Sequence, residues 1–264
     1  MRVAFVEWPE GLRPDGPKWS EISKRVADSR TDLLVTNELP FGPWIAARPT
    51  FNRQTAQESV DRHEAGLEGL KQLDIPAILS SRPVWANDRL ANEAFVLDRG
   101  AVRPIHQKHY FPQEIGWYES TWYTNTRGGF QSADINGLCA GVMLCTDAMF
   151  NEHARHYGRH GASLIAIPRA AGVSIENWLA AGKMAAIVSG AYVVSSNRVG
   201  TSDEGVIFGG AGFAYGPDGS LLAVTNAAEP LLVIDVDPDR SARQRRSYPC
   251  YVVEPDVGGG IAAA

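Results

Sequence analysis

The sequence has few cysteines, and this scarcity excludes a disulfide-stabilised secreted fold. Only three are present among 264 residues, and Cys139, Cys145 and Cys250 are an odd number that lie far apart. Such a set does not make a disulfide framework. Since free thiols persist where the surroundings are reducing, we expect a cytoplasmic protein.

Long apolar runs and clusters of positive charge are also missing. No stretch approaches the roughly 18 apolar residues that a membrane-spanning helix needs, so no membrane partner is expected. The N-terminal stretch MRVAFVEWPEG is interrupted by Glu7, which favours a first strand over a signal peptide. The net charge is −5, and the most basic segment, RSARQRRSY, is interpreted as solvated. We therefore expect no nucleic-acid partner.

What the sequence does contain is an alternation of short β-branched runs and longer amphipathic runs. Strands are predicted at VAFVEW, TDLLVTNELPFG, IPAILSSRPV, GLCAGVMLCTD, ASLIAIPRAAG, AYVVSSNRVG and PLLVIDVD, with two more around a turn at Asp98–Gly100 and a hairpin at GGAGFAYGPDGSLLAVT. Helices are predicted between them, at KWSEISKRVADSR, TAQESVDRHEAGLEGLKQLD, AMFNEHARHYGRHG and NWLAAGKMAAIVSG. This alternation predicts an α/β fold, a mixed sheet system covered by helices. Because no linker or repeat interrupts it, we expect a single domain over 1–264.

Three of the predicted strands end on residues that are able to take part in covalent chemistry. LLVTNELP ends at Glu38, VRPIHQKHY at Lys108, and GVMLCTD at Cys145. Strand ends hold side chains rigidly, and active sites gather there in α/β proteins. Taken singly, each has an ordinary explanation: an exposed strand terminus, a lysine extended along the surface, and a small core residue. Together, a carboxylate, an ammonium and a thiol supply the parts of acyl transfer.

The local contexts of these residues resemble those of the nitrilase superfamily of carbon–nitrogen hydrolases. LLVTNELPFG resembles the glutamate motif, IHQKHYFP the lysine motif, and GVMLCTDAMFNEHARHYGRHGASLIAIP the cysteine elbow. Further along, NWLAAGKMAAIVSGAYVVSSNRVG and FGGAGFAYGPDGSLLA are similar to the later helix, strand and hairpin of the family. The resemblance extends from residue 2 to about residue 237, and the cysteine elbow is its most specific part.

The resemblance implies a fold and a mechanism. The fold is a four-layer α-β-β-α sandwich, usually paired into dimers through helices. The mechanism needs no metal and no cofactor: Cys145 attacks a carbonyl carbon, and Glu38 takes the thiol proton and later activates water. Lys108 and the backbone N–H of Thr146 stabilise the oxyanion. Burial alone raises the pKa of a thiol, so Lys108 and Glu38 are expected to hold the pKa of Cys145 down.

Other positions follow from the resemblance in the same way. The family often has a second catalytic glutamate before an aromatic pair, and YESTWYTNTRGG places Glu119 there; Glu114 is the competing candidate. Asp147, Glu152 and Arg155 are expected to brace the turn at the cysteine.

Arg169, in IPRAAG, follows a predicted strand where the family lines its substrate pocket. It either grips a substrate carboxylate with its two-pronged guanidinium or forms a surface salt bridge.

A zinc site is the main alternative chemistry. His153, His156 and His160 are spaced so as to lie on one helical face, where three imidazoles can hold zinc. No HExxH pattern accompanies them and Gly158 weakens the helix, so we expect no metal. GGAGFAYG precedes a turn and a strand rather than a helix, which excludes a dinucleotide loop. Cys139 and Cys250 are interpreted as core or surface thiols.

The predicted function is hydrolysis of the C–N bond of a small amide through a cysteine thioester. The CTD segment, with an Asp two residues after Cys145, resembles amidase-like branches, whereas nitrilases more often carry Trp-Glu after the cysteine. Nitriles and N-carbamoyl amino acids remain alternative substrates. A catalytically silent relative that binds a small molecule is a second alternative. Aromatic residues in PFGPWIAARPTFNRQ and PQEIGWYESTWYTNT predict a pocket partly walled by rings.

Overall fold

Thirteen strands and six α-helices lie within residues 1–254, the part of the chain that the computed structural model describes. The strands are β1 (Arg2–Pro9), β2 (Leu33–Val35), β3 (Ala77–Ala86), β4 (Arg89–Asp98), β5 (Ala101–Gln107), β6 (Ala133–Ile135), β7 (Leu138–Val142), β8 (Leu164–Arg169), β9 (Tyr192–Thr201), β10 (Ile207–Gly209), β11 (Phe213–Tyr215), β12 (Leu221–Val224) and β13 (Leu231–Asp235). The helices are α1 (Pro17–Ser29), α2 (Arg53–Lys71), α3 (Glu119–Trp122), α4 (Glu152–Arg159), α5 (Glu176–Ser189) and α6 (Pro238–Gln244). None of these described helices has both the length and the apolar character that crossing a bilayer requires.

The strands form two half-sheets that share β1. Their order is β5-β4-β3-β2-β1-β9-β8-β7-β6, and β13 adds to β1 while β10 and β11 add to β9. The first half of β1 pairs in parallel with β2, through Val3–Phe5, and its last residues pair in parallel with β9, through Glu7–Pro9. A single strand therefore passes from one half-sheet into the other and fixes their relative positions.

Three hydrophobic clusters separate four layers, which confirms the predicted α-β-β-α sandwich. Along β1, Val3 and Phe5 belong to the central cluster between the half-sheets, whereas Ala4 and Val6 pack beneath α1 and α2. Along β8, alternate residues are divided in the same way between the central cluster and a cluster beneath α4 and α5. A strand that is apolar on both faces is buried between two layers. Burial of the strands on both faces therefore explains the near-continuous apolar runs of the sequence.

The strands that lead to the candidate residues are shorter than predicted. They end at Val35, Gln107 and Val142, so that Glu38 lies three residues beyond β2, Lys108 one beyond β5, and Cys145 three beyond β7. The sequence analysis also missed α3, β6, β10 and α6. These elements have between three and seven residues, too few to show a helical or strand period.

Helix α2 holds the loop that follows Glu38. The ring of Phe41 packs against Trp8 and Trp19, with ring centroids 6.5 and 5.7 Å away. The backbone N–H of Phe41 donates to Nε2 of the buried His63 at 3.4 Å, and burial lowers the pKa of His63 to about 4, so the ring is neutral and able to accept. One turn later, Gly66 leaves room for the Phe41 ring, because an added Cβ would lie 2.1 Å from its Cδ2 atom.

This contact predicts that Gly66→Ala destabilises the protein. The added methyl group has to displace the Phe41 ring, and overpacking of this kind costs about 1–3 kcal/mol even though alanine is the better helix former. Urea unfolding of both proteins measures the difference. The matched control is Gly128→Ala, where an added Cβ meets no atom within 4 Å. Equal midpoints for the two variants would contradict the prediction.

Candidate active site

A cavity of about 680 Å³ opens where β5, β7 and β8 end. Its lining includes three of the predicted site residues, Glu119, Cys145 and Thr146. Five aromatic side chains also line it: Tyr110, Phe111, Trp117, Phe150 and Trp178. The pocket is partly walled by rings, as predicted, but of these five only Trp117 comes from the two segments that were expected to supply them.

Cys145 stands at the first residue of a 3-10 turn, Cys145–Met149, directly above the end of β7. Its φ of 47° lies in the left-handed region, which a non-glycine residue adopts only when the surrounding structure holds it there. The side chain is buried but faces the cavity. The turn thus presents the thiol to the pocket at the end of an apolar strand.

Asp147 is the group that holds this turn in place. Its buried carboxylate accepts hydrogen bonds from the backbone N–H groups of Leu144, His109 and Tyr110, at 3.0–3.1 Å, and pairs with His106 Nε2 at 2.9 Å. The elbow is therefore tied to the segment that follows Lys108, and the bracing role predicted for Asp147 agrees with these contacts.

Arg155 does not join Asp147 in the elbow, contrary to the expectation from the sequence. Its guanidinium donates to Glu254 Oε1 at 2.5 Å and to the backbone oxygen of Val252 at 2.6 Å, so it anchors the end of the described chain. Glu152 lies in the first turn of α4 and lines a separate surface depression beside Arg155.

Lys108 lies between two buried carboxylates. Its Nζ donates to Glu38 Oε1 at 3.0 Å and to Glu119 Oε2 at 2.5 Å, and all three side chains are at most 1% exposed. This contact identifies Glu119, rather than Glu114, as the glutamate that belongs with the lysine. The structure therefore brings Glu38, Lys108 and Glu119 together, and Glu119 shares the cavity with Cys145.

Glu38 is oriented by two further donors. Asn92, on β4, donates from its side chain to Glu38 Oε1 at 2.7 Å, and the backbone N–H of Ala170 donates to Oε2 at 3.2 Å. The backbone of Asn92 also accepts from the N–H of Lys108 at 2.9 Å. The sequence analysis missed Asn92, although a buried polar residue within the apolar stretch LANEAFVLD is the available signal.

Burial dominates the electrostatics of this cluster. Burial raises the pKa of Glu119 to about 7, helped by the negative charge of Glu38 and opposed by Lys108. Burial opposes the ammonium form of Lys108, but the charges of Glu119 and Glu38 outweigh it and raise the pKa of Lys108. The lysine is therefore positively charged at neutral pH, as an oxyanion-stabilising group must be.

The pKa of the Cys145 thiol is raised rather than lowered, which corrects the sequence-based expectation. Burial is the largest cause and the carboxylates of Glu38 and Glu119 add to it, while Lys108 and the Ala170 N–H oppose it. Glu38 thus disfavours the thiolate that it was expected to stabilise. The resting residue is a neutral thiol, and a base has to remove its proton during attack.

Arg169 lies behind the cavity wall. Its side chain is 1% exposed, donating to Ser195 Oγ at 2.7 Å and to the backbone oxygen of Ala211 at 2.8 Å. The guanidinium carbon lies 5.2 Å from the ring centroid of Trp178, which does line the cavity. Burial lowers the pKa of Arg169 to about 10. The alternative of a surface salt bridge is therefore wrong, and binding of a substrate carboxylate stays a prediction.

Among the three histidines considered for zinc, the rings of His156 and His160 lie 4.1 Å apart between centroids, whereas His153 has other partners. His153 stacks on Phe130 with centroids 3.6 Å apart, and Tyr110 Oη lies 2.8 Å from its Nε2. His160 Nδ1 instead bonds the backbone oxygen of His156 at 2.8 Å.

A different set, His106, His109 and Asp147, brings ligand atoms within 4.8 Å of one another. Both oxygens of Asp147 already accept two hydrogen bonds each, which favours the bracing role over metal binding.

Comparison with known proteins identifies the family. A family model described as carbon-nitrogen hydrolase matches residues 8–246. The chain belongs to this family. An (R)-stereoselective amidase from a Pseudomonas species is 23% identical over 83% of this carbon–nitrogen hydrolase and 77% of the relative. The N-carbamoylputrescine amidase of Solanum tuberosum is 26% identical over 63% of the chain, and this match spans only 61% of that relative. A solved carbon-nitrogen hydrolase from Helicobacter pylori G27 superposes with a TM-score of 0.83 at 21% identity, covering 95% of this chain and 94% of that one.

The raised pKa of Glu119 predicts how the reactivity of Cys145 changes with pH. Above pH 7 the ionised Glu119 carboxylate disfavours the thiolate, so Glu119→Gln is expected to speed alkylation of Cys145 severalfold at pH 8–9. Below pH 6 the wild-type carboxyl is protonated and resembles the amide, so the two proteins react alike. The measurement is the iodoacetamide labelling rate of Cys145, followed by peptide mass spectrometry. A rate ratio that does not change with pH would show that Glu119 does not titrate in this range.

Proposed function

We propose that this protein hydrolyses the C–N bond of a small amide through a thioester on Cys145. The observation that carries the proposal is the arrangement of Lys108 between Glu38 and Glu119, beside a cavity whose floor presents Cys145 in a strained turn. Such a cluster supplies a base, a fixed positive charge and a nucleophile in a site from which water is largely excluded. Membership of the carbon–nitrogen hydrolase family supports the same reaction.

The first half of the reaction forms the thioester. Glu38 takes the proton of the Cys145 thiol as the sulfur attacks the carbonyl carbon of the amide. Lys108 and the backbone N–H of Thr146 stabilise the negative charge that develops on the carbonyl oxygen. The protonated Glu38 then gives its proton to the amide nitrogen, the C–N bond breaks, and ammonia or an amine leaves.

The second half releases the acid. Glu38, again a carboxylate, removes a proton from water, whose oxygen attacks the thioester carbon. The C–S bond breaks, the sulfur recovers the proton, and the carboxylic acid is freed. Asn92 and the Ala170 N–H keep Glu38 aimed through both halves, since they bind its two oxygens. Glu119 holds Lys108 and faces the substrate. The route needs neither a metal nor a cofactor.

The finer assignment is an amidase. The Asp147 that follows Cys145 by two residues and the amidase names of two relatives support it. Nitriles and N-carbamoyl amino acids are the alternative substrates. The alternative to catalysis is a silent relative that only binds a small molecule. Ammonia release from a panel of amides, nitriles and N-carbamoyl amino acids discriminates among all of these.

We also propose that the protein acts in the cytoplasm as one domain over 1–264 that assembles into a homodimer or a higher homo-oligomer. The free state of Cys139, Cys145 and Cys250 supports a reducing compartment. Helix α5 exposes Met184 by about half and keeps Ile187 and Val188 partly exposed, and these apolar side chains are the part of its outer face that could contribute to pairing.

The proposal predicts that Cys145→Ala abolishes turnover but leaves the fold intact. No other described cysteine lines the cavity, and alanine fits where the thiol lies. The controls are Cys139→Ala and Cys250→Ala, which are expected to keep most of the activity. Turnover of the best amide and the melting temperature are measured for all three variants. An active Cys145→Ala protein, or an essential Cys139 or Cys250, would overturn the assignment.

Substitution of Arg169 distinguishes binding of a substrate carboxylate from support of the cavity wall. If it reads a substrate carboxylate, Arg169→Ala lowers kcat/KM on acidic amides alone, because neutral amides leave no charge unpaired. Its contacts with Ser195, Ala211 and the Trp178 ring favour support of the wall instead, and we expect roughly equal losses on both classes. Arg169→Lys is the matched variant, since it keeps the charge but loses the two-pronged geometry. A loss confined to acidic amides would establish carboxylate binding.

A further inference from the structure

The cavity contains a carboxylate that the proposed reaction does not use. Glu114 lines it together with Glu119, but Glu119 is bound to Lys108, whereas Glu114 forms no ion pair within residues 1–254. Its side chain is exposed at the cavity mouth.

The segment that carries Glu114 is held firmly. The backbone N–H of Trp117 donates to the backbone oxygen of Glu114 at 2.8 Å, and the backbone N–H of Glu114 donates to the backbone oxygen of Trp117 at 3.3 Å. The indole N–H of Trp44 donates to the backbone oxygen of Gly116 at 3.0 Å, and the Trp117 ring packs edge-on against Phe208, 5.5 Å between centroids. Glu114 therefore projects from a braced turn, so its side chain, but not the backbone that carries it, has to be ordered when a ligand binds.

The lining carries no positive charge to balance Glu114. None of the described lining residues is a lysine or an arginine. Burial lowers the pKa of His109, which lines the cavity, so its ring is neutral at neutral pH. The buried cations Lys108 and Arg169 do not line the cavity and are already engaged, Lys108 by its two glutamates and Arg169 behind Trp178. The cavity therefore favours a positively charged ligand and disfavours a carboxylate.

The aromatic wall favours the same class of ligand. Tyr110 and Phe150 stack on each other with centroids 3.6 Å apart, so each covers one face of the other, and both line the cavity with Phe111, Trp117 and Trp178. Ring faces attract ammonium groups and also accommodate a methylene chain.

We propose that the substrate is an amide whose far end carries a primary ammonium group, recognised by Glu114 and the aromatic wall. This inference rests on the proposed amide hydrolysis and adds its substrate class. The amide end lies at Cys145 and the ammonium end at the mouth, so the alkyl chain between them crosses the ring-lined part of the cavity.

The test compares three series of primary amides, with two to five methylene groups, that end in ammonium, methyl or carboxylate. We expect the ammonium series to exceed the methyl series in kcat/KM by about tenfold at the best length, as a weak ion pair and a cation–π contact together provide. The carboxylate series is expected to be the slowest. The preference should shrink at high salt, because the carboxylate is exposed.

Two variants of Glu114 and one control complete the test. Glu114→Gln is expected to abolish the preference of ammonium over methyl, and Glu114→Lys to invert the order in favour of carboxylates. Glu229→Gln, which removes an equal charge from an exposed turn outside the cavity lining, should keep the wild-type preference. Equal rates for the ammonium and methyl series, or a preference that survives in Glu114→Gln, would overturn the inference while leaving amide hydrolysis standing. Failure to cleave any of the amides would instead contradict the proposed function.

Discussion

The site depends on one buried cation that lies between two carboxylates. Lys108 has no access to solvent, and burying an ammonium costs several kcal/mol unless opposite charges and hydrogen bonds compensate. Glu38 and Glu119 compensate it, so removing either acid leaves a buried charge poorly balanced. The same pairing fixes the three buried side chains, and a fixed charge in a buried site stabilises an oxyanion more strongly than a solvated one does.

This cluster can form only because distant segments converge at one end of the sandwich. Glu38 follows β2 and Lys108 follows β5, on one half-sheet, whereas Cys145 follows β7, on the other. Strand β1 spans both half-sheets, and Asp147 ties the cysteine turn to the backbone after Lys108. Because the nucleophile and its charged partners come from opposite layers, displacement of the layers separates the thiol from its base. Packing of the central cluster therefore matters directly for the chemistry.

Much of this arrangement was predictable from the sequence, for identifiable reasons. The alternation of apolar and amphipathic runs predicts sheets covered by helices, since strands buried on both faces are apolar throughout. The four-layer arrangement is what the resemblance to the nitrilase superfamily implies. Glu38, Lys108 and Cys145 were found because each follows such a run. The partners of Glu38 were not found. Asn92 lies inside a strand, and a backbone N–H such as that of Ala170 is present whatever the residue type. The direction of the Cys145 pKa shift depends on burial and on the summed charge of three neighbours, which spacing along a chain does not convey.

The residues that perform the reaction and the residues that contact the rest of the substrate lie in different parts of the segment between Lys108 and Glu119. Lys108 Nζ and Glu119 Oε2 lie 2.5 Å apart, so this catalytic ion pair fixes both ends of the loop formed by the ten residues between them. That loop supplies much of the cavity wall and carries Glu114 in its turn. A substitution within it changes the ring faces and charge that meet the substrate, while the ion pairs at its base stay in place. Selectivity can therefore vary in this segment with little change to the groups that break the C–N bond.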